Sequence, residues 1–403
     1  MAGLVGLVLL LAALLAVRFR TDAVLSPTPG HDDMSWARDA ERRNSTGHES
    51  AEGVIATDNG FCVVGQTNSR QPGVRQAWVL GFNQSPPPRW ERVHGKSTSG
   101  TATLGRAIAA LPGGGCVVAG EEQVAVGRFR GWLLALAADG EILWERTPGH
   151  EGINGFTALA VLEDGSIVAG GTQDRAGWVV RLNSRGEPLW DVKLPRLEHV
   201  TALGALPAQG LAVLGTAETS TTGLGVSRLV LLHSDGRATG EQQLPTGGRG
   251  ELNALAVLPE GGLVATGQRS LPSAPDGTLW VVRMAPRGEL LWEYIAEGPE
   301  VEAGLALTVL PGGDIAVAGY SWRELLVDRE ARIWRLSAEG HLRWQRTHGG
   351  RGDDQGNGIA RLADGSLVVV GVTTSKGAGK TDLWTFGVSD QGEPLWEETF
   401  GAP

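Results

Sequence analysis

The chain has few of the residues and motifs on which common enzyme classes depend. Among its 403 residues are two tyrosines and two cysteines, Cys62 and Cys116, and two thiols are too few for a disulfide framework or a cysteine-rich metal site. The sequence has no Cys-Cys pair, no G-x-S-x-G or Walker loop, and no H-x-H, H-x-x-H or H-E-x-x-H motif. No catalytic or metal-binding residue is therefore predicted, and both cysteines are expected to be buried, unbridged strand residues.

Lysine is also scarce. Four of the 35 basic residues are lysines, and no basic cluster stands out. A nucleic-acid-binding domain normally carries a basic patch, so nucleic acid is not expected as a partner. The formal net charge of −10 mainly favours solubility.

One long hydrophobic run is present, Ala2–Val17, and nothing comparable follows it. As a helix it would span about 24 Å, less than the roughly 30 Å core of a bilayer. It has no Lys or Arg before it, no cysteine of a lipoprotein signal after it and no clear A-x-A cleavage site. We predict an uncleaved membrane anchor, and Arg18 and Arg20 behind it favour a cytoplasmic side for the rest of the chain. Residues 18–45 have the mixed composition of a linker, and Trp36 within it is a candidate for docking on the following domain.

Beyond residue 45 the sequence repeats short apolar runs bounded by Gly, Pro, Asn and Asp, a pattern typical of strands. Two columns mark the repeat. The first is a glycine that ends an apolar run: Gly65, Gly120, Gly170, Gly215, Gly267, Gly319 and Gly371. The second is a tryptophan, with Gly240 in the fourth place: Trp90, Trp144, Trp190, Trp292, Trp344 and Trp396. Both columns indicate seven units with a period of about 51 residues.

Each unit is predicted to contain four strands, with hairpin turns such as Asp164-Gly165. Seven such units match an all-β, seven-bladed β-propeller. The predicted units are residues 46–97, 98–150, 151–196, 197–247, 248–299, 300–350 and 351–402. In five units a second tryptophan precedes the column tryptophan by 12 residues: Trp78, Trp132, Trp178, Trp280 and Trp384. We expect the two rings of each pair to be cross-strand neighbours that stabilise a hairpin.

The last unit, Gly349–Gly401, resembles the repeat of bacterial PQQ-like (quinoprotein-like) seven-bladed β-propeller proteins, and the resemblance extends over about residues 46–402. It implies the propeller fold and a periplasmic or extracytoplasmic location, opposite to the side that Arg18 and Arg20 favour. The segment LNSRGEPLW also resembles the tryptophan-docking motif of quinoprotein dehydrogenases, whose larger members hold PQQ with an adjacent-cysteine disulfide, a metal and an Asp base. This chain has no such cysteine pair, so no PQQ-site residue is carried over and no cofactor is expected.

Three functions are compatible with such a propeller. A membrane-tethered, non-catalytic protein-interaction scaffold is favoured, because the repeat is regular and no polar constellation accompanies it. An enzyme at the channel mouth, such as a quinoprotein-like oxidoreductase, a lyase or a hydrolase, would need convergent Asp, Glu, His or Arg side chains from several blades. A small-ligand or glycan-binding propeller would need exposed aromatic rings, for which Trp36 and Trp322 are the candidates.

The fourth unit departs from the repeat at both tryptophan positions. Gly240 replaces the column tryptophan, and Arg228 stands where the preceding tryptophan is expected. One hypothesis is that another chain, or Trp36 from the linker, covers this edge, so that Arg228, Gly240 and Trp36 are the candidate interaction residues. The other, which the sequence alone favours, is sequence drift in a blade that its neighbours support.

Overall fold

The computed structural model describes residues 47–70, 74–95, 102–150, 152–218, 225–244, 249–322, 328–378 and 380–401. The predicted anchor at residues 2–17 and the linker at residues 18–45, with Trp36, lie outside these ranges. The described residues form 28 strands and two short 3-10 turns, Pro207–Gln209 and Pro311–Gly313. None of them belongs to a helix long and apolar enough to cross a membrane.

The strands follow one another in antiparallel groups of four, here called units one to seven in chain order. Units one to three contain β1 (Glu49–Thr57), β2 (Gly60–Thr67), β3 (Gln76–Phe82), β4 (Trp90–His94), β5 (Thr103–Ala110), β6 (Cys116–Ala125), β7 (Arg128–Leu136), β8 (Ile142–Arg146), β9 (Asn154–Val161), β10 (Ile167–Gln173), β11 (Ala176–Leu182) and β12 (Pro188–Leu194). Units four and five contain β13 (His199–Ala205), β14 (Leu211–Glu218), β15 (Gly225–Leu232), β16 (Ala238–Gln243), β17 (Gly250–Val257), β18 (Leu263–Leu271), β19 (Ala274–Met284) and β20 (Leu290–Ile295). Units six and seven contain β21 (Val301–Val309), β22 (Ile315–Trp322), β23 (Arg329–Leu336), β24 (Leu342–His348), β25 (Asp354–Arg361), β26 (Leu367–Thr373), β27 (Asp382–Val388) and β28 (Pro394–Phe400). Repeated sheets of four successive strands are those of a β-propeller, so the predicted all-β propeller repeat is confirmed.

The units pack side by side, and the first strand of each unit contacts the first strand of the next. Units four and five are also joined by a parallel bridge between Val226 of β15 and Gly250 of β17. The last unit contacts the first, because Asn357 Nδ2 of β25 donates to Ala51 O of β1 at 2.7 Å. One buried hydrophobic cluster combines side chains of units one and seven. The two ends of the repeat are therefore held together by polar and apolar contacts.

The first strand of every unit carries a one-residue register shift, and this bulge explains the glycine column. In unit seven the shift lies between Gly356 and Gly358. A Cβ atom on Gly371 would lie 1.8 Å from Gln355 O of the bulged strand. At the corresponding glycines of the other units, this distance to a first-strand carbonyl oxygen is between 1.8 and 2.5 Å. Glycine is required because another backbone occupies the position of its side chain.

In unit three this position belongs to Gly171 and not to the predicted Gly170. Gly171 lies opposite Trp178, as the other column glycines lie opposite their third-strand position. A Cβ atom on Gly171 would lie 1.9 Å from Gly155 O. Two adjacent glycines satisfy the sequence pattern equally well, and the bulge in β9 decides between them.

Replacing Gly371 by alanine should destabilise the protein strongly. We expect Gly371→Ala to lower the free energy of unfolding by about 3 kcal/mol, the upper end for overpacking, because the clash is with backbone. Urea denaturation followed by circular dichroism measures this change. Gly53→Ala is the matched control, since its new Cβ atom would meet Ile108 Cγ2 at an ordinary 3.4 Å. Equal stability of the two variants would contradict the role of the bulge.

The paired tryptophans are not cross-strand neighbours, so that prediction is wrong. Trp178 lies opposite Lys193, and Trp190 lies opposite Arg181. Four of the third-strand rings instead donate their Nε1–H to the carboxylate that follows the column tryptophan. These bonds join Trp132 to Glu145 (2.8 Å), Trp178 to Asp191 (3.2 Å), Trp280 to Glu293 (3.0 Å) and Trp384 to Glu397 (2.9 Å). The Nε1–H of each of these buried rings thus has a hydrogen-bond acceptor on the fourth strand, the outer strand of the unit.

The column tryptophans hold successive units together. Four of the six donate their Nε1–H to the strand-three-to-four turn of the next unit: Trp90 to Ala138 O (2.9 Å), Trp144 to Ser184 O (3.0 Å), Trp190 to Ser234 O (2.9 Å) and Trp292 to Ala338 O (3.1 Å). An arginine adds a second donor to each of these turns, as Arg181 Nη1 does to Ser234 O at 2.7 Å. The ring packs on the turn glycine, and a Cβ atom on Gly236 would lie 3.1 Å from Trp190. We call this contact the tryptophan clasp.

Histidine can take the place of an aromatic residue at the edge of a unit. His348 lies four residues after its column tryptophan, as Phe400 does in unit seven. Its ring packs on Phe386 with centroids 4.9 Å apart. Burial lowers the pKa of His348, and nearby Lys376 lowers it further. The folded protein therefore favours the neutral imidazole at this position.

The depressed pKa makes His348 a source of acid sensitivity. At about pH 6.5 and below, the unfolded chain binds this proton more readily than the folded protein does. The free energy of unfolding therefore decreases as the pH falls below this value. His348→Phe should therefore gain stability over the parent when the pH is lowered from 8 to 5. Urea denaturation at both pH values measures the difference in the free energy of unfolding between variant and parent. The control is His233→Asn, at an exposed histidine. A difference that stays constant would contradict the assignment.

Cys62 and Cys116 are free and buried. They lie in one hydrophobic cluster between units one and two. Their mutual hydrogen bond, together with burial, raises the pKa of Cys116 well above its ordinary value. Cys116 therefore packs as a neutral thiol, in keeping with its place in this hydrophobic cluster.

Candidate functional site

Unit four has lost both tryptophans, and each loss affects the contact with a different neighbour. Arg228 lies opposite Gly215, the register position that tryptophan takes in units one, two, three, five and seven. Gly240 lies opposite Leu231, at the position from which the column tryptophans reach the next unit. The two candidate residues therefore act at opposite sides of the unit and do not form a single edge.

Arg228 replaces the indole as the partner of the strand-four carboxylate. Its Nη1 lies 3.1 Å from Glu241 Oε1, and its Nη2 donates to Gln243 Oε1 at 3.1 Å. The separation of 13 residues equals that of the tryptophan–carboxylate pairs. Among the described residues, Arg228 Nε has no hydrogen-bond partner although it is buried. An unsatisfied buried donor is costly, but Arg332 Nε of unit six is unsatisfied as well, so this atom alone does not distinguish the site.

Unit six also has an arginine at this position, and there the side chain is almost completely buried. Arg332 lies opposite Gly319, and the tryptophan of this strand, Trp334, is two residues further along. Arg332 Nη1 lies 2.6 Å from Glu302 Oε1, and its side chain is 10% exposed. Burial raises the pKa of Glu302 despite the opposing charge of Arg332. Arg332 is thus part of an internal ion pair, whereas Arg228 is 24% exposed.

Arg228 lines a cleft between units three and four. Arg175, Arg196 and Glu198 line the same cleft, whose volume is about 450 Å³. Arg196 Nη1 lies 3.2 Å from Glu241 Oε2, so that a single carboxylate is shared by two guanidinium groups. Three arginines face two carboxylates here, in a chain whose formal net charge is −10. We call this site the arginine cleft.

On its other side, unit four lacks the tryptophan clasp. Gly240 and Leu231 hold the positions from which tryptophan and arginine donate in unit three, and neither has a side-chain donor. The turn glycine of unit five, Gly288, lies against Leu229 instead of an indole, with 2.8 Å between its hypothetical Cβ atom and Leu229 Cδ2. The parallel bridge of β15 and β17 joins the two units at the opposite end of the strands.

Restoring the tryptophan should strengthen the contact between units four and five, which we call the seam between these units. Gly240→Trp is expected to raise the free energy of unfolding by roughly 1–2 kcal/mol, through buried apolar area and a hydrogen bond to the unit-five turn. Thermal and urea denaturation measure the gain. Gly240→Ala serves as control, because it also removes the flexible glycine but cannot form a clasp. A tryptophan variant no more stable than the alanine variant would argue against a vacant clasp position.

Sequence reasoning found part of this site. Arg228 and Gly240 are where the pattern breaks, while Trp36 lies outside the described residues. Arg175 and Arg196 were missed, since they come from a turn and a connecting segment of unit three that carry no motif. In the part of the chain that the structure describes, no group of three His, Cys, Asp or Glu side chains is suited to a metal ion.

Comparison with known proteins establishes the fold. No protein-family model and no curated protein matches the sequence. The structure is similar to a prolyl endopeptidase (13% identity, TM-score 0.54, 91% of this chain and 51% of that chain) and to virginiamycin B lyase from Staphylococcus aureus with quinupristin (12%, 0.52, 80% and 92%). It is also similar to the Pan2 WD40 domain of Neurospora crassa (12%, 0.51, 79% and 85%). At these identities the likeness shows a β-propeller fold and leaves function to be argued from the site.

Proposed function

We propose that this chain is a membrane-tethered, non-catalytic scaffold that binds a partner protein at the arginine cleft. Residues 46–402 would form a seven-bladed propeller of the PQQ-like kind, and residues 2–17 would anchor it on the periplasmic or extracytoplasmic side of a membrane. The observation that carries the binding role is the convergence of Arg175, Arg196 and Arg228 beside an irregular unit.

The chemistry of the cleft favours an acidic partner segment. A guanidinium group is a planar fork that matches a carboxylate in two hydrogen bonds. The side chain of Arg196 is 73% exposed and that of Arg228 is 24% exposed, so the cleft offers one accessible and one partly desolvated cation. Carboxylates of a partner would compete with Glu241 for both groups.

The neighbouring strand supports an extended partner segment. β16 is the outer strand of unit four and pairs with β15 alone among the described strands. An exposed strand edge presents backbone donors and acceptors to which a partner strand can add. The cleft would then supply the charge recognition and the edge the backbone pairing.

Photo-crosslinking in the intact, full-length chain tests this proposal. A photoreactive residue at position 196 should capture a partner, and the same residue at position 185, in the turn at the other end of unit three, should not. The partner, once purified, should bind Arg175→Glu/Arg196→Glu roughly tenfold or more weakly than the parent, because two attractive charges become repulsive. Surface plasmon resonance at two salt concentrations measures the affinity, and higher salt should weaken parent binding.

The double substitution is chosen to leave the fold intact. Arg175 has no ion pair among the described residues, and the exposed pair of Arg196 contributes at most about 1 kcal/mol, so the melting temperature should change little. Arg228 itself is left in place, because its side chain is only 24% exposed and also donates to Gln243, whereas that of Arg196 is 73% exposed. Arg185→Glu is the matched control. Unchanged affinity of the double variant, an equal loss in the control, or no capture from position 196 would refute the proposal.

A further inference from the structure

A second concave site lies at the opposite end of the strands from the arginine cleft. It is a cavity of about 560 Å³ lined by units three to seven, within the roughly 300–1,000 Å³ typical of small-molecule sites. Residues at the ends of the first strands form its wall, and the turns that follow them form its rim. We call this cavity the funnel.

The wall of the funnel is aliphatic in four adjacent units. The last residues of β9, β13, β17 and β21 are Val161, Ala205, Val257 and Val309, and all four line the cavity. Such a wall offers no hydrogen bond to a polar ligand. An alkyl chain placed against it would remove apolar surface from water on both partners.

The rim adds few donors. Pro207, Pro259 and Pro311 follow the wall in units four to six, and proline has no backbone N–H. In unit three the rim carries Glu163, which accepts hydrogen bonds but does not attract an anion. Among the residues that line the funnel, the one side-chain hydrogen-bond donor belongs to unit seven.

Unit seven supplies that donor at the equivalent position. Arg361 is the last residue of β25, where the four preceding units have valine or alanine, and it lines the funnel half-buried. Its backbone pairs with Leu367, but among the described residues its side chain has no hydrogen bond or ion pair. Hydrogen bonds from Ser366 are the main cause of the lowered pKa of Asp364, and Arg361 contributes less. The guanidinium group is thus left with its fork available.

We propose that the funnel binds a small amphiphile with a single carboxylate. Its alkyl chain would lie against Val161, Val257 and Val309, and its carboxylate would accept two hydrogen bonds from Arg361. A dianionic phosphate suits the site less well, because the funnel itself has one arginine and one glutamate. The nearby Arg335 is already paired, with its Nη2 3.1 Å from Asp314 Oδ2.

A photoreactive decanoic acid, with a diazirine on its alkyl chain, tests this site in the full-length protein. Mass spectrometry should locate the label in the segments that carry Val257 and Val309. Unlabelled decanoate should compete at lower concentration than decan-1-ol, because only the acid can use the guanidinium. In Arg361→Val, decanoate should compete roughly tenfold or more weakly, while decan-1-ol competes as before.

Three further variants keep the result interpretable. Arg361→Lys retains the charge without the fork and should lose only part of the preference for decanoate, which also guards against a valine variant that folds poorly. Val257→Trp should fill the cavity and prevent labelling while Arg361 is intact. Arg185→Val, an exposed arginine at the same end of the strands, should behave as the parent. Labelling outside the funnel, equal competition by acid and alcohol in the parent, or unchanged competition in Arg361→Val would overturn the proposal.

Discussion

The tryptophan clasp is the interaction on which the arrangement of the units depends. The apolar clusters between units supply most of the attraction, but the hydrophobic effect is non-directional and does not by itself fix an angle. The indole N–H bond from Trp190 to Ser234 O is directional, and it lies at the outer edge, where a small rotation produces the largest displacement. At the four junctions where it forms, this bond and the glycine that admits the ring set the angle between neighbouring units.

Unit four keeps the carboxylate of the fourth strand but has neither of the two tryptophans. Glu241 stands where four other units place the carboxylate that accepts an indole N–H, and Arg228 takes over the bond. A neutral buried ring is thereby replaced by a cation that reaches solvent. The change converts a packing contact into a charged surface, and the neighbouring Arg175 and Arg196 enlarge that surface. Drift alone would account for a missing ring, but the converging charges favour recognition of an acidic partner.

Features of the structure that depend on residues close together in the sequence could be predicted from it. Hairpin glycines and apolar runs specify strands within a few residues, so the propeller repeat could be predicted. The contacts of the tryptophans could not, because four of the column rings bond to a turn in the next unit, as Trp90 does to Ala138 over 48 residues. The choice between Gly170 and Gly171 also depends on a bulge in a different strand. Arg361 is visible in the sequence as a charged residue in an aliphatic position, but its role needs five strand ends to meet at one cavity.

The two proposed sites lie at opposite ends of the strands and share units three and four. Unit three lines the arginine cleft through Arg175 and the funnel through Val161. Unit four lines the arginine cleft through Arg228 and the funnel through Ala205. Communication between them would require unit four to move against a neighbour as a rigid body. Toward unit three it is held by the clasp of Trp190, whereas toward unit five neither Gly240 nor Leu231 provides a side-chain donor. The seam between units four and five has the weaker directional restraint at its outer edge. Residues from both of these units line the funnel. Any coupling of partner and ligand binding should therefore pass through this seam.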